Sequence, residues 1–231
     1  MPQPAWHRGL NYLRERLSSD DFKDVELGWR AYALYVLARE QQAAIGDLRY
    51  VHDNYLQKMP SALAQAQLGA ALARYGELER ATEAFKAALV QRERPALRDY
   101  GSSLRDRAAV LALLAESGLL TAELPLLTAQ VAEQFAAQRY TSTQEQSWLL
   151  LAAHTLSQNA TPLNVSVNGQ AVTADPLRLT PTAAQLADKI TLVNQGQQAL
   201  WTQLEISGVP TAPQPAAQHG FNITRRYYTR S

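Results

Sequence analysis

From residue 22 to residue 157 the chain repeats one pattern, apolar residues at i, i+4 and i+7, interrupted by glycine or proline. That spacing puts the apolar residues on one face of a helix. The faces are Leu27/Ala31/Leu34/Ala38, Ala64/Leu68/Ala71/Tyr75 and Leu78/Ala81/Phe85, followed by Leu104/Ala108/Leu111/Ala115, Leu124/Leu127/Val131/Phe135 and Leu149/Ala152/Leu156. Gly46, Pro60, Gly76, Pro95, Gly101 and Gly118 fall between these runs and are read as helix breaks. Ser61, Ser102 or Ser103, and Thr141 or Ser142 are the expected N-caps, because a hydroxyl there accepts an otherwise orphaned backbone N–H.

The helices come as hairpins. Leu37-Ala38, Leu72-Ala73, Leu114-Ala115 and Leu151-Ala152 each lie late in a helix, at intervals of 35, 42 and 37 residues. A strict solenoid keeps a fixed period. Unequal intervals suit a ring or bundle of antiparallel hairpins, and the many alanines let neighbouring helices approach closely.

Near Ser157 the pattern changes to period two. Leu163 to Val167 alternates apolar and polar, and Asn168-Gly169 suits a two-residue hairpin turn, since both residues tolerate positive φ. Leu177 and Leu179 alternate likewise. Ile190 to Val193 precedes a turn at Asn194 to Gly196, and Leu200, Thr202, Leu204 and Ile206 line one side of a further expected strand. Pro210 to Gln218 reads as a linker, and Phe221 to Tyr228 as the start of another strand. Helices first and strands second give two modules, mainly α with a β tail, and not alternating βαβ units. The expected division is 1–157 helical, 158–209 β, and 210–231 linker plus first strand.

Composition removes several functions. With no cysteine among 231 residues the chain forms no thiolate zinc site, thiol redox centre or thioester of its own. A net charge of +1 supplies no field to attract nucleic acid, and none is expected as a partner. The longest apolar run, Ala108 to Ala115, is far short of the roughly 20 residues a membrane span needs, so no direct membrane insertion is expected. Met1 to Arg8 has no apolar leader core.

Candidate chemistry is sparse. Asp20-Asp21-Phe22-Lys23-Asp24 fits a D-D-x-x-D magnesium–diphosphate pattern, but it follows Ser18-Ser19 and has no second acidic motif; an acidic helix start facing the dipole explains it better. His7, His52, His154 and His219 form no pair at i+3 or i+4, so no zinc pair is encoded locally. His154 is expected to be packed or hydrogen-bonded, and the adjacency of His52 and Asp53 does not by itself turn one toward the other. Arg98-Asp99 and Arg105-Asp106-Arg107 read as solvated or loop-pinning ion pairs. Arg225-Arg226-Tyr227-Tyr228 mixes cations and aromatics, as single-strand binders do, but a strand with one wet and one packed face accounts for it. Asn159, Asn164 and Asn222 open short glycosylation-type triplets of the kind chance supplies. No catalytic, cofactor-binding or metal-binding residue is assigned.

Several stretches together carry a resemblance. They are Arg30 to Arg39, Leu48-Arg49-Tyr50, Leu63 to Leu72, Tyr100-Gly101-Ser102-Ser103-Leu104-Arg105-Asp106-Arg107-Ala108, Ser142 to Ala152, and Gly220 to Tyr228. The chain resembles the late part of bacterial alpha-2-macroglobulins. The resemblance implies a partial α/α toroid from the later portion of a thioester domain, then a CUB-like β portion, then the entry to a C-terminal macroglobulin-like domain. It implies protease trapping, not catalysis, with target proteases and the other domains of the same polypeptide as partners. It also implies a periplasmic location, an anchored lipoprotein parent, and a penicillin-binding protein alongside. The family's thioester joins the Cys and Gln of a Cys-Leu-Glu-Gln motif that this chain lacks. Either the motif lies upstream of a fragment, or the chain comes from a branch without one.

Two other classes remain. Tyr75 to Leu89 resembles half of a tetratricopeptide hairpin, which fits a helical-repeat adaptor for other proteins. An α/α-ring enzyme would need paired carboxylates facing one cavity, and only the Asp20 cluster suggests any.

Overall fold

The computed structural model describes residues 3–18, 27–90, 99–158, 164–172, 182, 189–196, 212, 215, 220 and 224–229. The chain divides into two compact units at Thr161/Pro162.

The first unit opens with a helix that the sequence reading, which began its helices at residue 22, did not include. Helix α1 runs Gln3–Ser18. Trp6, Leu10, Leu13 and Leu17 form its inward stripe: Leu10 is fully packed and the other three rest against the same core. Pro4 lies in the first turn, where a missing N–H costs nothing. Arg16 sits over the Trp29 ring at 5.8 Å, and an Arg30 guanidinium N–H donates to the Leu17 carbonyl at 3.4 Å.

Seven α-helices follow among the described residues: α2 (Leu27–Arg39), α3 (Ile45–Tyr55), α4 (Ala62–Arg74), α5 (Leu78–Leu89), α6 (Ser103–Ser117), α7 (Leu124–Ala136) and α8 (Thr143–Gln158). The even-numbered helices pack in sequence, α2 on α4, α4 on α6, α6 on α8. The odd ones back them: α1 on α2, α3 on α4, α5 on α4 and α6, α7 on α6. Front-row neighbours run parallel. Arg74, the last residue of α4, reaches Glu116 near the end of α6 at 2.6 Å, while Ser102 at the start of α6 bonds Glu145 in the first turn of α8. Parallel front helices returned by a back row are the layering of part of an α/α toroid.

Burial follows from that layering. In α4 every residue from Ala64 to Leu72 is buried, and in α6 every residue from Leu104 to Ala115 except Arg107. A helix buried all round is covered on more than one side. The back-row helix α5 instead buries one stripe, Ala81/Ala84/Phe85/Ala87/Ala88, while Leu78, expected on that stripe, is exposed. A Cβ on Gly69 would stand 3.2 Å from Phe85 Cδ2 and 3.3 Å from the Ala81 carbonyl, so α4 and α5 approach as closely as they do because residue 69 has no side chain.

Most of the expected breaks fall between helices, with one correction. Gly46 lies inside the first turn of α3, where a glycine weakens the helix without ending it. Pro95 lies outside the described residues. Ser61 caps α4 by accepting from Ala64 N–H at 3.2 Å, and Ser102, not Ser103, caps α6 by accepting from Arg105 N–H at 3.0 Å. Each such cap is worth about 1 kcal/mol.

The second unit contains a three-stranded antiparallel sheet, β1 (Val165–Val167), β2 (Gln170–Val172) and β3 (Leu192–Asn194), in the order β2-β1-β3. The β1–β2 turn is Asn168-Gly169, with φ of 49° and 82°, as the hairpin reading requires. Asn168 also prolongs the β1–β3 ladder. Its N–H donates to the Thr191 carbonyl, and its side-chain oxygen accepts from Thr191 N–H, both at 2.9 Å. At the expected turn, Asn194 Oδ1 accepts from Gly196 N–H at 2.9 Å. The alternating residues at 177–179 and 200–206 lie outside the described residues. Thr224 to Thr229 are exposed and have no strand partner among the described residues.

Candidate functional site

The largest buried polar assembly among the described residues lies where α6 and α8 begin. Arg105 is 3 % exposed, and Asp106 and Glu145 are buried beside it. All five N–H donors of the Arg105 guanidinium are used. Nε donates to Asp106 Oδ1 at 2.8 Å. Nη2 donates to Asp106 Oδ1 and, at 2.8 Å, to Asp99 Oδ2. Nη1 donates to Gln144 Oε1 at 3.0 Å and to the Asp99 carbonyl at 3.5 Å. The side chain therefore joins the α6 entry loop, α6 itself and the first turn of α8.

The loop is shaped around that guanidinium. A Cβ at Gly101 would fall on the Arg105 head group. Gly101 N–H donates to Asp99 Oδ1 at 3.1 Å, and Gln144 Nε2 to the Asp99 carbonyl at 3.3 Å. These bonds hold Tyr100 at φ 53°, a conformation unfavourable for a bulky residue, with its side chain 91 % exposed.

Glu145 closes the assembly. It accepts from the Ser102 hydroxyl at 2.5 Å and from Ser142 N–H at 2.6 Å, while its own N–H donates to the Ser142 hydroxyl at 3.2 Å. Ser142 and Glu145 are thus a capping box. Burial raises the Glu145 carboxyl, but the hydrogen bonds from Ser102 and Ser142 outweigh it and hold the group below the ordinary carboxylate range. The guanidinium is filled, and each Glu145 oxygen already accepts a hydrogen bond from a neighbouring helix start. Chemically this is a joint.

The other sequence candidates are scattered. Arg107 bonds Gln130 of α7 and is not in the joint. His7 is exposed on α1. His154, expected to be packed or hydrogen-bonded, is on the exposed side of α8, its Nε2 at 3.0 Å from Gln158 Nε2. His52 is buried and does face Asp53, Nδ1 to Oδ1 at 2.8 Å. Arg225 stacks on Tyr227 at 5.0 Å, and Tyr227 and Tyr228 are both exposed, so the expected packed face is absent there. Asp20, Asp21, Asp24, Arg98 and His219 lie outside the described residues. Among those described, no three His, Asp or Glu side chains could hold a metal ion, and no helix is long and apolar enough to cross a membrane. Sequence reasoning missed Gln144 and Glu145, although Ser142-x-x-Glu145 is itself the capping-box signature.

The two helix rows, the joint between α6 and α8 of the front row and the short antiparallel sheet belong to a chain similar to one stretch of the bacterial alpha-2-macroglobulins. The alpha-2-macroglobulin of Escherichia coli K12 is 35 % identical over 232 residues, covering 94 % of this chain and 14 % of that protein. The crystal structure of Salmonella alpha-2-macroglobulin reacted with methylamine superposes with a TM-score of 0.64 at 36 % identity, over 86 % of this chain and 14 % of that one. Trypsin-activated E. coli alpha-2-macroglobulin gives 0.61 at 31 % identity, over 84 % and 13 %. The chain therefore spans about a seventh of the relative it matches. No protein-family model matches it.

Proposed function

We propose that this chain is a non-catalytic part of a protease-trapping macroglobulin. Its helices serve as wall and scaffold for a thioester supplied by sequence upstream of Met1. The observation that carries this reading is homology along 94 % of the chain to a protein whose relatives include a trypsin-activated form. The joint at α6 and α8, whose polar groups bond one another across two helices, fits a structural role in such a scaffold. The β unit is the returning half of a CUB-like domain in the same proposal. A periplasmic parent and a neighbouring penicillin-binding protein belong to it on family likeness.

The test is a chimera in which this chain replaces its counterpart in E. coli alpha-2-macroglobulin. Trypsin should be captured by the chimera, visible as a high-mass band and as loss of cleavage of large substrates. A chimera that folds and is cut by trypsin but captures none would refute the reading. Sequence encoded upstream of Met1 should contain Cys-Leu-Glu-Gln.

A further inference from the structure

His52, on α3, stands between two carboxylates from two helices of the back row. Its ring is 7 % exposed. Nδ1 is 2.8 Å from Asp53 Oδ1, and Nε2 is 3.3 Å from Glu83 Oε2 of α5. Nε2 is buried and makes no hydrogen bond.

The protonation options are few. Asp53 is fixed as an acceptor, because Arg80 donates to Oδ1 at 2.9 Å and to Oδ2 at 3.1 Å. Arg80 is itself braced by Glu77 at 2.9 Å, and Glu77 accepts from Arg49 Nε at 3.0 Å. Nδ1 therefore carries a hydrogen. A neutral imidazole has only one N–H, so Nε2 then presents a lone pair to the Glu83 carboxylate. Two acceptors face each other across 3.3 Å until a second proton arrives.

We propose that His52 is a proton-operated clasp between α3 and α5, open when Nε2 is bare and closed when Nε2–H reaches Glu83. Protonation turns an acceptor–acceptor contact into a charge-assisted bond tying the two helices. The surrounding charges leave that contact to act alone. Arg49, Arg80, Glu77 and Asp53 are occupied with one another. The ammonium of Lys58, in the turn after α3, lies over the Tyr55 ring at 5.1 Å. Arg74, the one charged residue of α4, is paired with Glu116 of α6. Asp47 is in the first turn of α3, Glu79 in the first turn of α5, and Lys86 one turn beyond Glu83.

The folded chain places the ring between two carboxylates and the unfolded chain between none, so the tie from α3 to α5 exists only while Nε2 carries a proton.

Thermal unfolding of the full chain at about pH 5.5 and about pH 8 tests this, comparing wild type with Glu83→Ala and His52→Gln. Glu83 is 65 % exposed in its side chain, so Glu83→Ala leaves the core intact. The gain in midpoint on acidification should be smaller in Glu83→Ala by about 2–4 °C, and His52→Gln, where it folds, should match Glu83→Ala. A slowly exchanging imidazole Nε2–H resonance at the lower pH should be present in wild type and absent in Glu83→Ala. An unchanged acid gain in Glu83→Ala, or no protected Nε2–H in wild type, would overturn the proposal.

Discussion

Replacing Arg105 by alanine is the most direct probe of the joint between α6 and α8. The substitution takes the guanidinium away from Asp106, which is 5 % exposed and cannot recover water without the loop opening, and from Asp99, whose side chain is 38 % exposed. Breaking a buried pair by removing one partner costs about 3–5 kcal/mol. Because Asp99 is partly solvated, the lower half of that range applies, about 3–4 kcal/mol. For a chain of this size about 1 kcal/mol moves the melting midpoint by 2–4 °C, so the expected fall is roughly 6–16 °C. Arg105→Lys should recover only part of this, because an ammonium offers three donors from one point where the guanidinium fills five from a planar fork. The decisive comparison is Arg105→Met with Asp106→Leu. Removing both buried partners leaves no buried carboxylate facing the lost guanidinium, only the partly solvated Asp99, so the double variant should be more stable than Arg105→Met alone. Urea unfolding followed by circular dichroism measures all four. A loss below about 1 kcal/mol in Arg105→Ala, or a double variant worse than Arg105→Met, would show that the joint does not hold the two helices.

Three other outcomes are expected. Gly101→Ala must displace the Arg105 head group, so it should lower the urea midpoint by an amount near that of Arg105→Ala, and the two together should be no worse than either alone. Asp53 is held down to about 2 by hydrogen bonds from Arg80 and then His52; its contribution is present above its unfolded value of 3.8 and is lost as pH falls toward about 2. Asp53→Asn should flatten the acid-unfolding curve in that window, an effect reduced by added salt because the group is nearly half exposed. Leu150 and Leu151 on α8 are 71 % and 47 % exposed. The isolated chain should therefore self-associate in sedimentation, and Leu150→Glu with Leu151→Glu should make it monomeric with little change in melting temperature.

The sequence made the helices legible unevenly, for identifiable reasons. Leu27, Leu34 and Phe85 announce their helices because large residues recur at the right spacing. In α4 and α6 the same reading found one apolar face where the structure buries the whole circumference. Alanine fits a face against another helix as well as one half-turned to solvent, so an alanine-rich period cannot tell one covered side from two. Helix α1 carries the same helical spacing in Trp6, Leu10, Leu13 and Leu17. The joint was half legible. Local rules place a serine cap at Ser102 and a capping box at Ser142 and Glu145. Nothing in residue spacing brings Gln144 to Arg105, because 39 residues and a complete back-row helix separate them. The same holds for Glu83 and His52, which meet only because α5 returns beside α3.

The placement of charge in the front row follows from its polarity. Parallel helices stack their dipoles side by side, with every N-terminus at one end and every C-terminus at the other, an arrangement that is self-repelling unless each end is compensated. At the N-terminal end stand Asp99, Asp106 and Glu145 against one cation, Arg105; three negative charges and one positive leave −2 where α6 and α8 present their unpaired N–H groups. At the C-terminal end α2 and α4 finish on Arg39 and Arg74, and Arg74 is tied across to Glu116 of α6. The carboxylates at the starts of α6 and α8 and the arginines ending α2 and α4 each stand at the helix end the dipole favours, and the ties between front-row helices sit at both ends of α6: Glu145 to Ser102 and Gln144 to Arg105 at its start, Arg74 to Glu116 near its close.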